Sequence, residues 1–519
     1  MIKNSNNLVV SSAIGVIITC LWFMTTWRYG FNLADEGFYW YGAQRTLLGE
    51  VPLRDFMSYD IGRYYWSALV MLIMGDNGIF SARLSAAIYQ CIGTISGVYL
   101  CLTALGKQGV FRWIFGILSA CVLTVWMFPY YKVYDHATSL VLIVAITAMV
   151  SSQKSHVWFL SGICLGLAAI MGRNHGVYGA FAAMLVIVNL MIKNRSFNPA
   201  FMLGSHFFVG VLLGFSPTIV VAFTVNGFAS AFIDSIALMF AYGSTNIGLP
   251  VPWPWICNYY GLDYLTSLHK LMIGITFLML ILVPVVFFIL LYTKKLIINQ
   301  IRTNILYASV VLSIPYAHYV FSRPDTVHIS LGIFPLLVFF VTLASTLTAN
   351  RSIINLFLLL CTSCAIIGNN QPYLASNLLN KSFAEILIND NIIYTSIGQD
   401  TNIKQLQSII NSFRNKQLNF LALPNMPSIH AIYNQKMPIW EIYSLIPRKS
   451  DFEKREIDRL ITHMPYLILL SNHALDGNLN LTYSKMHPLT YEFINSKYNL
   501  LQIDINAINS DFSIFTVKD

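Results

Sequence analysis

Apolar runs follow one another along the first 370 residues with so few breaks that this part of the chain can only fold in lipid. A membrane-spanning helix needs about 20 apolar residues. Such runs lie near 8–27, 84–105, 112–128, 137–152, 157–171, 176–192, 203–224, 270–292, 304–321, 329–348 and 352–369, the one at 157–171 being the shortest. Hydrophobic residues make up 56% of the chain and charged ones 11%, against about 25% charged in a soluble domain. Leu8–Trp27 is followed by no small-residue cleavage site and reads as a span rather than a removable signal. Beyond residue 370, Asn, Lys, Asp and Glu become frequent and the long runs stop. The expected fold is a polytopic α-helical membrane protein of about 11 transmembrane helices. Its expected domains are a membrane domain over 1–370, with outer loops at 28–83 and 225–268, and a small α/β domain outside the membrane over 371–519.

Charge sets the expected orientation. With the N-terminus inside, the inner connections carry Lys3, Lys107, Arg112, Lys154, Lys193, Arg195, Lys294, Lys295, Arg302 and Arg351. Basic residues on the cytoplasmic side are the rule for such proteins. Every acid before residue 370, from Asp35 to Asp325, falls on the other side. An odd number of spans then places the C-terminal domain outside. The net charge of +9 reads as topology plus a basic outer domain, and no nucleic-acid motif accompanies it. The eight cysteines give no disulfide framework; Cys361-x-x-Cys364 lies in an apolar helix and reads as core.

The acids and bases outside the lipid carry the chemistry. Asp35-Glu36 stands at the mouth of the first span, where a carboxylate can serve as general base for a hydroxyl nucleophile. Gly37–Leu48 reads as an amphipathic helix stopped by Gly49-Glu-Val-Pro52, and Tyr64–Met74 as an apolar segment too short to span. Both are expected along the membrane interface, anchored by Tyr and Trp. Glu50 and Asp76 read as surface anchors. Further polar clusters emerge on the same side: Tyr130–His136 with Lys132 and Asp135, Gly172–Gly176 with Arg173 and His175, and Ser322–His328 with Arg323, Asp325 and His328. Guanidinium groups bind phosphate oxygens in pairs, so Arg63, Lys132, Arg173 and Arg323 suit a phosphate. Asp35, Glu36 and Asp135 suit a base and its partners, or a divalent cation. Each cluster taken alone reads equally as an ordinary charged turn. Asp135-His136 lacks zinc-ligand spacing. The segment Pro250–Trp255 reads as a lid or a rigid cap.

The string from Asp35-Glu36-Gly37 through Glu50-Val-Pro52 to Arg54-Asp55-Phe56 resembles the first-loop signature of polyprenyl-phosphate-dependent membrane glycosyltransferases. This is the GT-C superfamily, which includes protein O-mannosyltransferases and aminoarabinose transferases. The chain most resembles the bacterial branch similar to rhizobial lipopolysaccharide-core galacturonosyltransferases, in which Arg323-Pro-Asp325-Thr-Val-His328 also has a counterpart. Leu418–Pro424, Pro465–Leu470 and Tyr491–Ile494 look like that family's C-terminal domain. Residues 420–423 and 467–470 read as buried strands, and 403–413 and 451–461 as helices.

The resemblance implies inverting transfer of a sugar from a polyprenyl phosphate to an acceptor hydroxyl on a glycan, glycolipid or protein. The setting it implies is the outer face of a bacterial inner membrane. Asp35 would be the base, Glu36 its partner, and Asp135 a second acid facing the substrates. Arg323 and His328, with Arg63 or Arg173, would meet the departing phosphate, and Lys132, His175 and Asp325 belong to the same donor-binding group. Metal use varies in the superfamily; Asp35, Asp135 and His136 are the residues a cation would take. A transporter or an O-antigen polymerase or ligase remain as alternatives. No acid falls within an expected apolar span, which argues against an ion path.

Overall fold

The computed structural model describes residues 5–242, 247–293, 298–413, 419–501 and 512–518. Lys3, Lys294, Lys295 and Leu418 lie outside the described residues. In chain order the helices of the first 380 residues are α1 Ser5–Thr26, α2 Asp35–Leu47, α3 Ile61–Met74, α4 Ile79–Leu105, α5 Val110–Val125, α6 Val133–Ser151, α7 Ser155–Met171, α8 Arg173–Asn194, α9 Asn198–Thr224, α10 Phe228–Tyr242, α11 Tyr264–Tyr292, α12 Gln300–Ser322, α13 Thr326–Gly332, α14 Phe334–Ala344, α15 Ala349–Ile367 and α16 Pro372–Leu378. The chain divides into two compact units. One takes the residues through Thr26 together with Ala86–Asn380; the other takes Trp27–Ser85 and the residues from Lys381 on. The segment between α1 and α4 thus groups with the C-terminal residues, not with the membrane helices that flank it.

In the membrane unit the span count differs from the expected eleven. Among the described residues eight helices are long and apolar enough to cross a membrane, or nine if the pair α13 and α14, bent by 64°, counts as one broken span. The runs expected at 112–128 and 157–171 form α5 and α7, of 16 and 17 residues. At 1.5 Å per residue these reach only about 24–26 Å. Helix α7 stops at Gly172, and α5 stops at Val125, before Pro129. Close backbone approach joins α7 to α9. A Cβ at Gly162 would meet the Phe207 carbonyl oxygen, and one at Gly210 that of Phe159. Gly166 and Gly214 continue the contact one turn on, the small-xxx-small packing of membrane helices. Val10, Ile14, Cys101, Leu102, Phe115, Val341 and Leu356 share a core among α1, α4, α5, α14 and α15. Arg302 donates to the carbonyl oxygens of Ala104 and Ser345, the ends of α4 and α14. A cation at these C-termini satisfies unpaired carbonyls and complements the helix dipoles. Pro252 and Pro254 rest on Gly274 of α11, and Trp253 stacks on Trp255 at 5.5 Å.

Among the described residues, the second unit joins α2, α3 and the start of α4 to six strands and five helices. In chain order these are β1 Phe383–Ile388, β2 Asn391–Ser396, α17 Gln399–Phe413, β3 Phe420–Leu423, α18 Pro427–Ile432, α19 Ser450–Thr462, β4 Leu467–Ser471, α20 Tyr483–Met486, α21 Pro488–Lys497, β5 Tyr498–Leu500 and β6 Phe512–Val517. The turn between β1 and β2 places Asn389 and Asp390 at φ 46° and 62°, as a tight hairpin with the strands' own twist requires. The other sheet has the order β3-β4-β6-β5, with β3 parallel to β4 and the remaining pairs antiparallel. Its core places Leu406 and Ile410 of α17 on Phe420, Ala422, Leu467, Leu469 and Ile514, with Leu33 of the first loop packed beside them.

Long-range hydrogen bonds explain why the loop belongs here. Gly30 N donates to Tyr394 O at 2.7 Å and Tyr394 N to Arg28 O at 2.7 Å, so the loop pairs with β2. Met57 N donates to Trp440 O, and Trp440 Nε1 to Leu53 O. Met437 N donates to Tyr41 Oη. Helix α2 is buried from Glu36 through Thr46 rather than half wet as its sequence reads. Helix α3 keeps an exposed apolar face at Leu69, Leu72 and Ile73, which suits a lipid surface.

Candidate active site

Asp35 and Glu36 open α2, where the positive end of the helix dipole favours acids. Asn32 sets the turn: its Oδ1 accepts from Ala34 N and Asp35 N, both at 2.8 Å. Ser428 at the start of α18 holds that turn from outside, donating from N to Leu33 O at 3.1 Å and from Oγ to Asn32 O at 3.0 Å. Gly37 is required, because any Cβ there would strike the Ser428 backbone.

The two adjacent acids then diverge. Glu36 points inward, 4% exposed. Arg83 grips it with Nε at 2.7 Å from Oε1 and Nη2 at 2.8 Å from Oε2. The same guanidinium donates to Gly30 O at 2.6 Å and to Trp27 O. A forked, fully hydrogen-bonded pair is how a buried carboxylate is tolerated. Asp35 is half-buried and accepts from Tyr443 Oη at 2.9 Å. From Tyr443 a line of rings leads to a cation. Phe38 lies 5.1 Å from Tyr443 and 4.6 Å from Tyr59, and Arg63 sits 4.8 Å over Tyr59. Glu50 pairs with Lys436 at 3.3 Å, and Asp76 accepts from Gly78 N and Ser81 Oγ.

The membrane unit gathers the other expected residues. The 22-residue helical stretch Tyr130–Ser151 begins before the run expected at 137–152, so Asp135 and His136 lie inside an apolar span and not in a loop. This corrects the expectation that the spans hold no acid. Asp135 is tolerated there because it sits in the first turn of α6 and because His175 covers it. His175 Nε2 is 3.0 Å from Asp135 Oδ1, and its Nδ1 is 2.6 Å from Tyr316 Oη. Tyr319 Oη donates to the same Asp135 oxygen at 3.4 Å. His175 is fully buried with both ring nitrogens engaged. His136 is also buried, 3.1 Å from Ser330 Oγ of α13. Arg323, Asp325 and His328 converge on one turn: Arg323 Nε lies 2.9 Å from Asp325 Oδ2 and His328 Nδ1 2.8 Å from Oδ1. Burial works to raise the Asp325 carboxyl, yet His328 and Arg323 outweigh it and hold it below its usual value. Arg173 donates to Ser235 Oγ at 2.7 Å and lies over Phe232. Lys132 lies 5.8 Å over the Tyr131 ring. Among the described residues no three His, Cys, Asp or Glu side chains group as metal ligands do.

Arg83, Tyr443, Tyr316 and Tyr319 were not singled out by the sequence. Arg83 had a signal, a lone arginine at the lip of an apolar run. Tyr443 had none, because it meets Asp35 across 408 residues.

No family model and no curated protein matches the chain. The crystal structure of ArnT from Cupriavidus metallidurans bound to undecaprenyl phosphate aligns with TM-score 0.53 at 11% identity, covering 99% of this chain and 98% of that one. The same protein in the apo state aligns with TM-score 0.47 at 10% identity, covering 97% of each chain. The apo oligosaccharyltransferase of Archaeoglobus fulgidus gives TM-score 0.43 at 10% identity, covering 90% of this chain and 69% of that one. The likeness to the first of these is one of fold, and it runs the length of both chains. The chain therefore has the fold of ArnT.

Proposed function

We propose that the protein is an inverting glycosyltransferase. It moves a sugar from a polyprenyl-phosphate carrier to an acceptor hydroxyl on a cell-envelope glycan, glycolipid or protein. The bound lipid in the similar ArnT structure, undecaprenyl phosphate, supports that donor class. One observation carries the reading: of two neighbouring carboxylates, Glu36 is buried and gripped by the Arg83 guanidinium, while Asp35 is half-buried and accepts from the Tyr443 phenol. A carboxylate held by a phenol keeps lone pairs for a substrate proton, whereas one gripped by a guanidinium does not.

In this mechanism Asp35 takes the proton of the acceptor hydroxyl. The freed oxygen bonds to the anomeric carbon from the face opposite the phosphate. The anomeric C–O bond breaks, and its electron pair leaves with the polyprenyl phosphate. That phosphate departs as an anion and needs cationic stabilisation rather than a general acid. Arg63, Lys132, Arg173, Arg323 and His328 are the groups we assign to it, with Asp325 orienting the last two. We reassign His175 from phosphate binding to holding Asp135, since both its nitrogens are engaged. A cation, where one is used, would draw on Asp35 or Asp135. We place the N-terminus inside a bacterial inner membrane and the C-terminal residues outside, on the distribution of basic residues.

The test compares cell-surface glycans and polyprenyl-linked sugars by mass spectrometry in wild type, a deletion strain and Asp35→Asn. Loss of a glycan mass with accumulation of lipid-linked sugar is expected. Unchanged glycans in Asp35→Asn beside altered ones in the deletion would remove Asp35 as base. The buried Asp135–His175–Tyr316 chain favours a second reading, proton-coupled transport. In that case a solute would cross proteoliposomes chemically unchanged.

A further inference from the structure

The second unit holds a cavity that the mechanism above does not use. Its volume is about 210 Å³, and it is lined by Pro424, Asn425, Met426 on one side and Ser471, His473, Asp476 on the other. These two segments leave the carboxyl ends of β3 and β4, which run parallel. An open α/β sheet takes its ligands in the crevice outside such ends. The cavity is smaller than the roughly 300–1,000 Å³ of drug-sized ligand sites, so it fits one ring and not a chain.

Its chemistry selects the ring. Leu475 and Leu481 supply apolar surface beside the hydroxyl, amide, imidazole and carboxylate groups, the mixture that a sugar's apolar face and hydroxyl rim require. Asn425, on the lining, carries an amide that can both donate and accept. No Lys or Arg is among the described residues of the lining, while Asp476 is. That disfavours a phosphorylated or carboxylated sugar and favours an uncharged or amino sugar.

The cavity wall is also the segment that fixes the base. Pro424 O accepts from Ser444 N, the residue after Tyr443, at 3.4 Å. Two residues past Met426, Ser428 holds the turn that presents Asp35. We propose that this crevice is a saccharide subsite that takes an uncharged or amino-bearing sugar ring of the acceptor. The assignment to the acceptor rests on the glycosyltransferase reading; sugar binding by the crevice does not.

The experiment uses the full chain in nanodiscs, with glucosamine and glucose 6-phosphate as probes read by saturation-transfer NMR. Wild type and Asp35→Asn are expected to bind glucosamine alike and glucose 6-phosphate at least about tenfold more weakly, the effect of one unmatched charged or polar contact. Ala474→Trp, which fills the crevice, is expected to abolish glucosamine binding, and the milder Asn425→Ala to weaken it, with each variant's melting temperature recorded. In transfer assays with glycan from the deletion strain, Asn425→Ala is expected to raise the acceptor KM and leave the donor KM unchanged. Glucosamine binding that is absent, or that survives Ala474→Trp in a folded protein, overturns the subsite. Binding that behaves as expected while Asp35→Asn leaves cell glycans intact keeps the sugar site and rejects the transferase reading instead.

Discussion

Asp35 and Asp135 begin alike, each an acid in the first turn of a helix, and the two units treat them in opposite ways. Asp35 is half-buried, and Tyr443 donates to it. Asp135 is 4% exposed, and an imidazole and a phenol close over it. The difference teaches that a carboxylate's role follows from what its neighbours leave open. A buried acid covered by histidine is a structural or relay group. A partly open acid is the one we propose to take a proton. Glu36 sharpens the contrast, since it adjoins Asp35 in sequence and is withdrawn by Arg83.

The largest effect should come from Asp35→Asn. Removing a general base lowers rate by roughly 10²–10⁴-fold, and transfer by the purified protein should fall in that range with its melting temperature unchanged. A drop of similar size in Asp135→Asn, with the fold intact, would erase the distinction. Next stands Arg83→Met, which leaves Glu36 buried and uncompensated. Breaking such a pair costs roughly 3–5 kcal/mol, seen as loss of folded protein after extraction. The double variant Arg83→Met with Glu36→Gln should recover most of it; no recovery would mean that Arg83 matters through its carbonyl contacts instead.

His175→Ala probes the other half of the comparison. It removes the hydrogen bonds that His175 makes to Asp135 and Tyr316, a loss of about 1–3 kcal/mol. Thermal stability should move more than kcat; the reverse would place His175 in the chemistry. Tyr443→Phe deletes one hydrogen bond to Asp35 and should lower kcat by about tenfold or less, with little change in KM. An unchanged kcat would show that the phenol does not orient the base.

The smallest effect is one of pH, in the loop that carries Tyr443. Burial raises the Glu441 carboxyl to about 7 against the pull of Arg448, which lies 2.5 Å away. A raised carboxyl favours the protonated folded state. Its contribution is therefore full below the usual value of 4.5 and is lost as pH rises to about 7. His430 and His487, lowered by burial to about 3 and about 4, act oppositely: their contribution is full above 6.5 and falls as pH drops. Glu441→Gln removes only the first trend. Its melting temperature relative to wild type should climb between pH 4.5 and 7 and then level off. A flat difference would mean that Glu441 is ionised throughout that range.

Hydropathy made most of the helices legible, because lipid demands long apolar runs and little else satisfies that demand. The strands at Phe420–Leu423 and Leu467–Ser471 were legible for a similar reason, as short apolar runs in a polar setting. Helix ends were less so: α6 reaches back over Asp135, and α5 and α7 stop short, because caps and single glycines decide ends while average hydropathy does not register them. Asp35, Glu36 and the Arg323–His328 turn could be named from local strings. What the sequence by itself determined is the membrane setting, the helical character and the acids available. Only the tertiary structure decided that the first loop folds with the C-terminal residues, that Arg83 claims Glu36, and that Tyr443 meets Asp35. Those choices rest on hydrogen bonds between residues 47 to 408 positions apart, and no local pattern encodes a partner at that range.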